Sequence, residues 1–278
     1  MIILDGKKIK EDILNELKEE VIKLDSKPHF VVIQVGNNEA SNIYIKQKQQ
    51  MAEYVGYKFT HLKFDNNTTE LELLNQIDIL NNDNNIHGIL VQMPLPNHIN
   101  TYKVQNAISK EKDIDGLTDY NTGKLFHKQD ALFSCTPSGV MELLKRYNIN
   151  VSGKHAVVVG RSNLVGKPMS TMLTNADATV TLCHSKTKDL AKYTRDADIL
   201  VVCAGHPKLI TSDMVSDGTV VIDVGISRTV TGLCGDVDFE NVASKCSYIT
   251  PVPGGVGPMT IAMLATNILT SYRIHFNK

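Results

Sequence analysis

The run Ala156-Val157-Val158-Val159, followed at once by Gly160-Arg161-Ser162-Asn163-Leu164-Val165-Gly166-Lys167-Pro168, constrains the fold more than any other stretch. A short apolar β-branched segment, a glycine turn and a helical segment from Met169 to Leu173 describe a strand handing over to a helix. A dinucleotide's pyrophosphate binds in this setting, on backbone N–H groups at the helix N-terminus. The spacing departs from G-x-G-x-x-G, because Arg161 and Ser162 follow the first glycine and Gly166 comes only later. Strand-glycine-helix turns also occur without a nucleotide, so this stretch alone leaves both readings open.

The next strand favours the nucleotide. Ala178-Thr179-Val180-Thr181-Leu182-Cys183 alternates as a strand does and ends in His184-Ser185-Lys186. An NAD-binding unit places Asp or Glu about 20 residues past the turn to hold the ribose 2′-OH. Here only hydroxyl and basic groups stand at the strand end. Arg161, Ser185 and Lys186 suit a 2′-phosphate, since guanidinium presents paired donors to phosphate oxygens. The pattern predicts NADP rather than NAD. Lys186 by itself reads as a solvated surface charge.

With 278 residues the chain is long enough for two domains and a well-buried core. A net charge of −1 gives no electrostatic case for nucleic acid or an anionic membrane. No apolar run approaches the ~20 residues that span a bilayer. The start, Met1-Ile2-Ile3-Leu4-Asp5-Gly6, lacks a charged n-region and cleavage site, so a cytoplasmic protein is expected. Cys135, Cys183, Cys203, Cys234 and Cys246 are odd in number and form no C-x-x-C pair. They read as reduced core thiols, neither a disulfide set nor a zinc site.

Upstream, Ile9, Ile13, Leu17, Val21 and Leu24 recur at helical spacing and predict a helix over 7–24. Phe30 to Val35 and Ile86 to Val91 read as buried strands and Tyr57 to Phe64 as another strand. Helices are predicted from Glu39 to Val55, with Ile43, Met51 and Val55 toward the core, over 69–81 and over 101–109. The span 111–136 reads as loop-rich, followed by a helix from Pro137 to Tyr147. Further strands are predicted at Ile199–Cys203 and Val220–Val224, and a last helix from Pro258 to Tyr272 after the Gly/Pro-rich run Pro251–Pro258. Strand and helix alternate, so the fold class is α/β with parallel sheets. The predicted plan is an N-terminal α/β domain plus a Rossmann-type doubly wound parallel-sheet domain, with a cleft between them. The boundaries are 1–138, completed by a closing helix over 258–278, and 139–257.

Several polar residues invite explanation. Tyr44 and Lys48 are four apart on one helix face, a spacing that also fits a solvated edge. Gln92 closes the strand Ile89-Leu90-Val91, where ligands of parallel sheets bind; it could equally cap loop backbone. Asp113-Ile114-Asp115-Gly116 pairs two acids in a loop without the remaining ligands of a metal site or the calcium-loop pattern. A turn held by Asp side chains could account for one acid while the other binds ligand. No G-x-S-x-G, G-x-x-x-x-G-K-[ST] or H-E-x-x-H is present. No metal is expected.

Taken together, these segments resemble the bifunctional methylenetetrahydrofolate dehydrogenase/methenyltetrahydrofolate cyclohydrolase (FolD) family. The matching pieces are Ser41–Lys48, Val91–Pro96, Lys112–Gly116, Cys135-Thr136-Pro137, Gly160–Pro168, Cys183–Thr187, Gly235–Phe239 and Thr250–Thr260, in the family's order across nearly the whole chain. Thr118-Asp119-Tyr120-Asn121 departs from the family, where many members carry His-Pro. The resemblance implies a folate-binding first domain and an NADP-binding second one. Lys48 would be the catalytic lysine, Tyr44 would orient the pterin, Gln92 would set the protonation of Lys48, and Asp115 would hold the pterin's polar edge. Arg161 and Ser185 would receive the 2′-phosphate, Gly160 and Ser162 line the turn, and Ile226 lie near the cofactor. Pro253 and Gly254 would border the folate. The resemblance also implies a homodimer. Two other readings stay open here: an NADP-dependent dehydrogenase of a small acid of the shikimate type, and a nucleotide-sensing module with a partner protein.

Overall fold

The computed structural model describes residues 1–229 and 232–276. Val230 and Thr231, inside the predicted nucleotide domain, and Asn277 and Lys278, at the end of the predicted closing helix, lie outside the described residues. The chain divides into two compact units, Met1–Glu11 with Thr136–Thr260 and Asp12–Cys135 with Ile261–Lys278.

The elements run β1 (Ile2–Ile3), α1 (Gly6–Val21), β2 (His29–Val35), α2 (Glu39–Val55), β3 (Lys58–Phe64), α3 (Glu70–Asn82) and β4 (Gly88–Val91). Then come α4 (Thr101–Asn106), α5 (Asp119–Phe126), α6 (Cys135–Arg146), β5 (His155–Val159), α7 (Gly166–Asn175), β6 (Thr179–Cys183) and α8 (Leu190–Thr194). The chain closes with β7 (Ile199–Val202), β8 (Val220–Asp223), β9 (Ser227–Thr229), β10 (Gly232–Cys234), α9 (Phe239–Val242), β11 (Tyr248–Ile249) and α10 (Val256–Phe276).

In the unit holding Asp12–Cys135, β2 is the middle of a three-stranded parallel sheet in the order β3-β2-β4. All seven residues of β2 are buried, as a strand covered on both faces demands. Val31, Ile33 and Ile89 pack with Leu73 and Ile77 of α3. Asn38 caps α2 by accepting the Ser41 N–H, and Gly56 ends it in the left-handed region at φ 96°. Ile45, Met51, Ala52 and Val55 form the buried face of α2; Ile43 does not, and is 53% exposed. The span 111–136 holds α5, capped by Thr118, where a loop was expected. A glycine, Gly123, and weak apolar periodicity hide that helix in the sequence.

The other unit holds a six-stranded sheet in the order β1-β11-β8-β7-β5-β6, with every pair parallel. It is the doubly wound sheet expected. The chain moves from β5 to β6 on one side and returns to β7 on the other, which makes the carboxyl ends of β5 and β7 the switch point where ligands bind in such sheets. Ile2 and Ile3 fall within the predicted first domain but pair with Tyr248 and Ile249 of this sheet. Two residues carry too little pattern to announce a strand. Val157, Val159, Leu200, Val202 and Val221 lie at the centre of this unit's core.

Candidate active site

The first cluster forms in the three-stranded unit. Helix α2 presents Tyr44 and Lys48 one turn apart. Tyr44 is 44% exposed, whereas Lys48 is buried, only 9% exposed. A buried ammonium requires compensation. The Lys48 Nζ donates to Gln92 Oε1 at 2.7 Å, and Gln92 Nε2 donates to the Met93 carbonyl at 2.9 Å. The Gln92 backbone N–H extends the β2–β4 ladder by donating to the Ile33 carbonyl at 2.8 Å. Gln92 is therefore fixed at both ends, and its carbonyl oxygen is aimed at the amine.

Burial pulls the Lys48 amine below its ordinary value, while the nearby Asp115 charge opposes the shift. Asp115 moves the opposite way. Burial raises its carboxyl, Lys48 works against that, and Asp113 adds to it. Both groups are displaced toward neutrality, the condition for moving a proton near neutral pH.

The two acids divide as one sequence alternative allowed. Asp113 is structural: buried, it accepts from Gly116 N at 3.0 Å, Thr118 N at 2.8 Å and Asn121 Nδ2 at 2.8 Å. Asn121, part of the stretch that departs from the family pattern, therefore supports the loop that carries Asp115. Two further residues join the site: Cys135, read from the sequence as a core thiol, and Asn267, which the sequence reading did not single out. The Cys135 thiol hydrogen-bonds Asp115 and is pushed well above its usual range by burial. Asn267 of α10 donates to the Ile114 and Phe133 carbonyls, both at 2.9 Å. A lone amide within the apolar run Ile261–Leu269 was the available signal for Asn267.

The second cluster belongs to the six-stranded unit. Gly160 leaves β5 at φ 127°; a Cβ there would sit 2.3 Å from the Cys203 carbonyl oxygen, and one at Gly166 would sit 2.0 Å from the Gly160 carbonyl oxygen. The turn thus admits only glycine at both ends, leaving its outer surface to a ligand. Ser162 caps the turn. Its Oγ accepts from Val165 N at 3.2 Å and Gly166 N at 3.4 Å, and its carbonyl accepts from Lys167 N at 3.1 Å.

Val159 and Cys183 are register partners, so Arg161 and Ser185 each stand two residues beyond a matched pair. Both are exposed at the sheet's carboxyl edge. Ile226, just past β8, is 49% exposed. A guanidinium and a hydroxyl at matched depth, no acid at the end of β6 and an exposed apolar side chain fit an NADP-type ligand. In the Gly/Pro loop, the Gly254 carbonyl accepts from Lys7 N at 3.1 Å, and Pro253 is exposed. Among the described residues, no group of three or more His, Cys, Asp or Glu could hold a metal ion.

Two family models match the chain. "Tetrahydrofolate dehydrogenase/cyclohydrolase, catalytic domain" covers residues 4–115, and "Tetrahydrofolate dehydrogenase/cyclohydrolase, NAD(P)-binding domain" covers residues 134–276. The bifunctional protein FolD of Nautilia profundicola is 53% identical over 272 residues, 96% of this chain and 95% of that one. The crystal structure of bifunctional FolD from Campylobacter jejuni superposes with a TM-score of 0.97 at 50% identity, over 99% of both chains. The Trypanosoma brucei methylenetetrahydrofolate dehydrogenase-cyclohydrolase, solved with NADP and an inhibitor, gives a TM-score of 0.94 at 36% identity, covering 100% of this chain and 99% of that one.

Proposed function

The chain belongs to the tetrahydrofolate dehydrogenase/cyclohydrolase family, and from that premise we infer both its reactions and the residues that carry them. The protein oxidises 5,10-methylenetetrahydrofolate to the 5,10-methenyl cation with NADP+, then hydrolyses that cation to 10-formyltetrahydrofolate. NADP+ supplies the acceptor for the hydride leaving the methylene carbon. The small-acid and nucleotide-sensor readings drop out, because neither uses Tyr44, Lys48, Gln92 and Asp115 together.

The residue roles are our proposal. Tyr44, half-exposed beside Lys48, offers a flat ring on which the pterin stacks. Asp115 accepts hydrogen bonds from the pterin's polar edge. In the second step water adds to the methenyl carbon, and the neutral Lys48 amine takes the proton that the water loses. It returns that proton to N5 as the bond from that carbon to N5 breaks; the remaining hydroxyl proton leaves to solvent as its oxygen becomes the carbonyl of the formyl group on N10. Gln92 holds the amine in place through both transfers. In the other unit Arg161 and Ser185 bind the 2′-phosphate, Gly160 and Ser162 shape the turn, and Ile226 contacts the cofactor. Pro253 and Gly254 border the folate. The observation that carries this reading is the buried Lys48 amine bonded to Gln92 at 2.7 Å.

The test is purified protein with 5,10-methylenetetrahydrofolate and either NADP+ or NAD+, following methenyltetrahydrofolate and NADPH together. NADPH formation with transient methenyl product supports the reading. Absence of folate-dependent NADPH overturns it.

We also read the chain as a cytoplasmic homodimer that binds neither nucleic acid nor membrane. Net charge of −1 and free cysteines among the described residues support the reading of a cytoplasmic protein that does not bind nucleic acid. Among the described residues, no helix is long and apolar enough to cross a membrane. The edge strands of the six-stranded sheet, β1 and β6, are the surfaces an isologous pair would use. Sedimentation showing only monomer at micromolar concentration would remove the dimer.

A further inference from the structure

Two carboxylates lie at the carboxyl end of β8, and the reactions above do not use them. Asp223 is 3% exposed and Asp236 is fully buried. Burying a carboxylate is costly unless donors surround it. Asp223 receives three: Gly225 N at 3.0 Å, Asp236 N at 3.0 Å and Val237 N at 2.8 Å. These bonds fix the loop segment that carries Asp236. Further bonds hold that segment on its other side, where the Gly235 and Asp236 carbonyls accept from Lys208 N at 3.1 Å and Ile210 N at 3.0 Å.

Asp236 in turn points one oxygen at the loop after β7. Its Oδ2 accepts from Ala204 N at 2.7 Å and Gly205 N at 2.8 Å. Ala204 and Gly205 are themselves exposed, so a buried charge holds a surface turn from beneath. Gly205 stands at φ 68°, in the left-handed region. The residue before this turn, Cys203, is the one whose carbonyl packs against Gly160. The turn therefore borders the β5–β7 switch point.

We infer that Asp236 is a cofactor-positioning residue: by fixing the Ala204–Gly205 turn it sets one wall of the NADP site, without touching the folate chemistry in the other unit. The inference rests on the placement of NADP at that switch point. It separates the two activities, because hydrolysis of methenyltetrahydrofolate needs no nicotinamide. The clamp acts on the oxidation step alone.

The test uses Asp236→Ala, Gly205→Ala and Arg161→Ala in the full-length protein. NADP+ binding is measured by calorimetry, and hydrolysis of methenyltetrahydrofolate is measured with no NADP+ present. A Cβ at Gly205 meets nothing within 4 Å, so that variant strains the turn without a clash. Asp236→Ala should raise the Kd for NADP+ about tenfold or more, the loss expected when two N–H groups forfeit a charged acceptor. Gly205→Ala should raise it in the same direction, and hydrolysis should stay within about twofold of wild type in both. A normal Kd in both, with Arg161→Ala still weakening binding, overturns the positioning role and leaves the cofactor site standing. No change in any of the three overturns both. Parallel loss of hydrolysis and binding in folded Asp236→Ala assigns the residue to general stability and overturns the proposal. If Asp236→Ala does not fold, Gly205→Ala decides: an unchanged Kd overturns the proposal.

Discussion

Lys48 donates its amine proton to Gln92 Oε1 at 2.7 Å, across the gap between helix α2 and the end of strand β4. The bond joins a long flexible side chain to one already pinned by the Met93 carbonyl. Gln92 carries no charge, so it orients the amine without stabilising the ammonium as a carboxylate would. Asp115 supplies the charge that holds the Lys48 pKa up, and burial pulls it down. The site thus balances a neutral orienting group against a charged one, and each can be altered separately.

Asp115→Asn tests that balance. Removing the charge removes the influence that raises the Lys48 pKa. The amine then becomes neutral at lower pH. The acid limb of the pH–rate profile for methenyltetrahydrofolate hydrolysis should move to lower pH, together with a higher KM for folate. An acid limb that stays put would show that Lys48 and Asp115 are not electrostatically coupled.

Arg161→Ala should weaken NADP+ more than NAD+. A charge-assisted contact to phosphate is worth about 1.5–3 kcal/mol, so KM for NADP+ should rise roughly tenfold or more, with little change for NAD+. Wild-type protein that prefers NAD+ would contradict the assignment outright.

His87 gives a prediction about stability. It is 5% exposed, packed against Tyr272 at 4.8 Å, and its Nδ1 accepts the His29 N–H at 3.0 Å. Burial first, then His275, His29 and Lys112, lower its pKa from 6.5 to about 4. The unfolded chain therefore binds a proton in this window that the folded chain refuses. The contribution is full above pH 6.5 and is lost as pH falls toward about 4. Its size is on the order of 3 kcal/mol across the window. His87→Asn keeps an acceptor near Nδ1 and cannot titrate. Urea unfolding should show wild type losing more stability between about pH 7 and pH 5 than the variant. Equal losses would mean that His87 titrates normally in the fold.

Much of the fold was legible because parallel sheets write themselves as unbroken apolar runs. Phe30–Val35, Ala156–Val159 and Ile199–Val202 could hardly be anything but buried strands. Two-residue strands such as β1 and β11 leave no such trace, and their pairing is set only by tertiary contact. On α2 the exposed Ile43 and the buried Ile45 are two positions apart, a choice that periodicity over a mixed helix does not make. In the candidate site, the i, i+4 spacing of Tyr44 and Lys48 was visible, but not the burial that makes Lys48 unusual. The pair Asp113 and Asp115 read as equals. Only three donors converging on Asp113 reveal it as the loop's anchor. Lys112, within the same family-like motif, proves to cap α3 through the Leu80, Asn81 and Asp83 carbonyls at 2.8–2.9 Å. Such long-range backbone bonds have no sequence signature.

Lys48→Met tests the central claim most directly. Methionine keeps most of the lysine stem and has good helix propensity, so α2 should persist. Proton transfer by a positioned side chain contributes about 10²–10⁴-fold, and only the hydrolytic step depends on it. Purified, folded Lys48→Met protein should lose hydrolysis of methenyltetrahydrofolate by about that factor. It should retain a larger share of NADP+-dependent oxidation and accumulate the methenyl product. Hydrolysis at the wild-type rate would show that the buried amine takes no part in the chemistry and that the assignment is wrong.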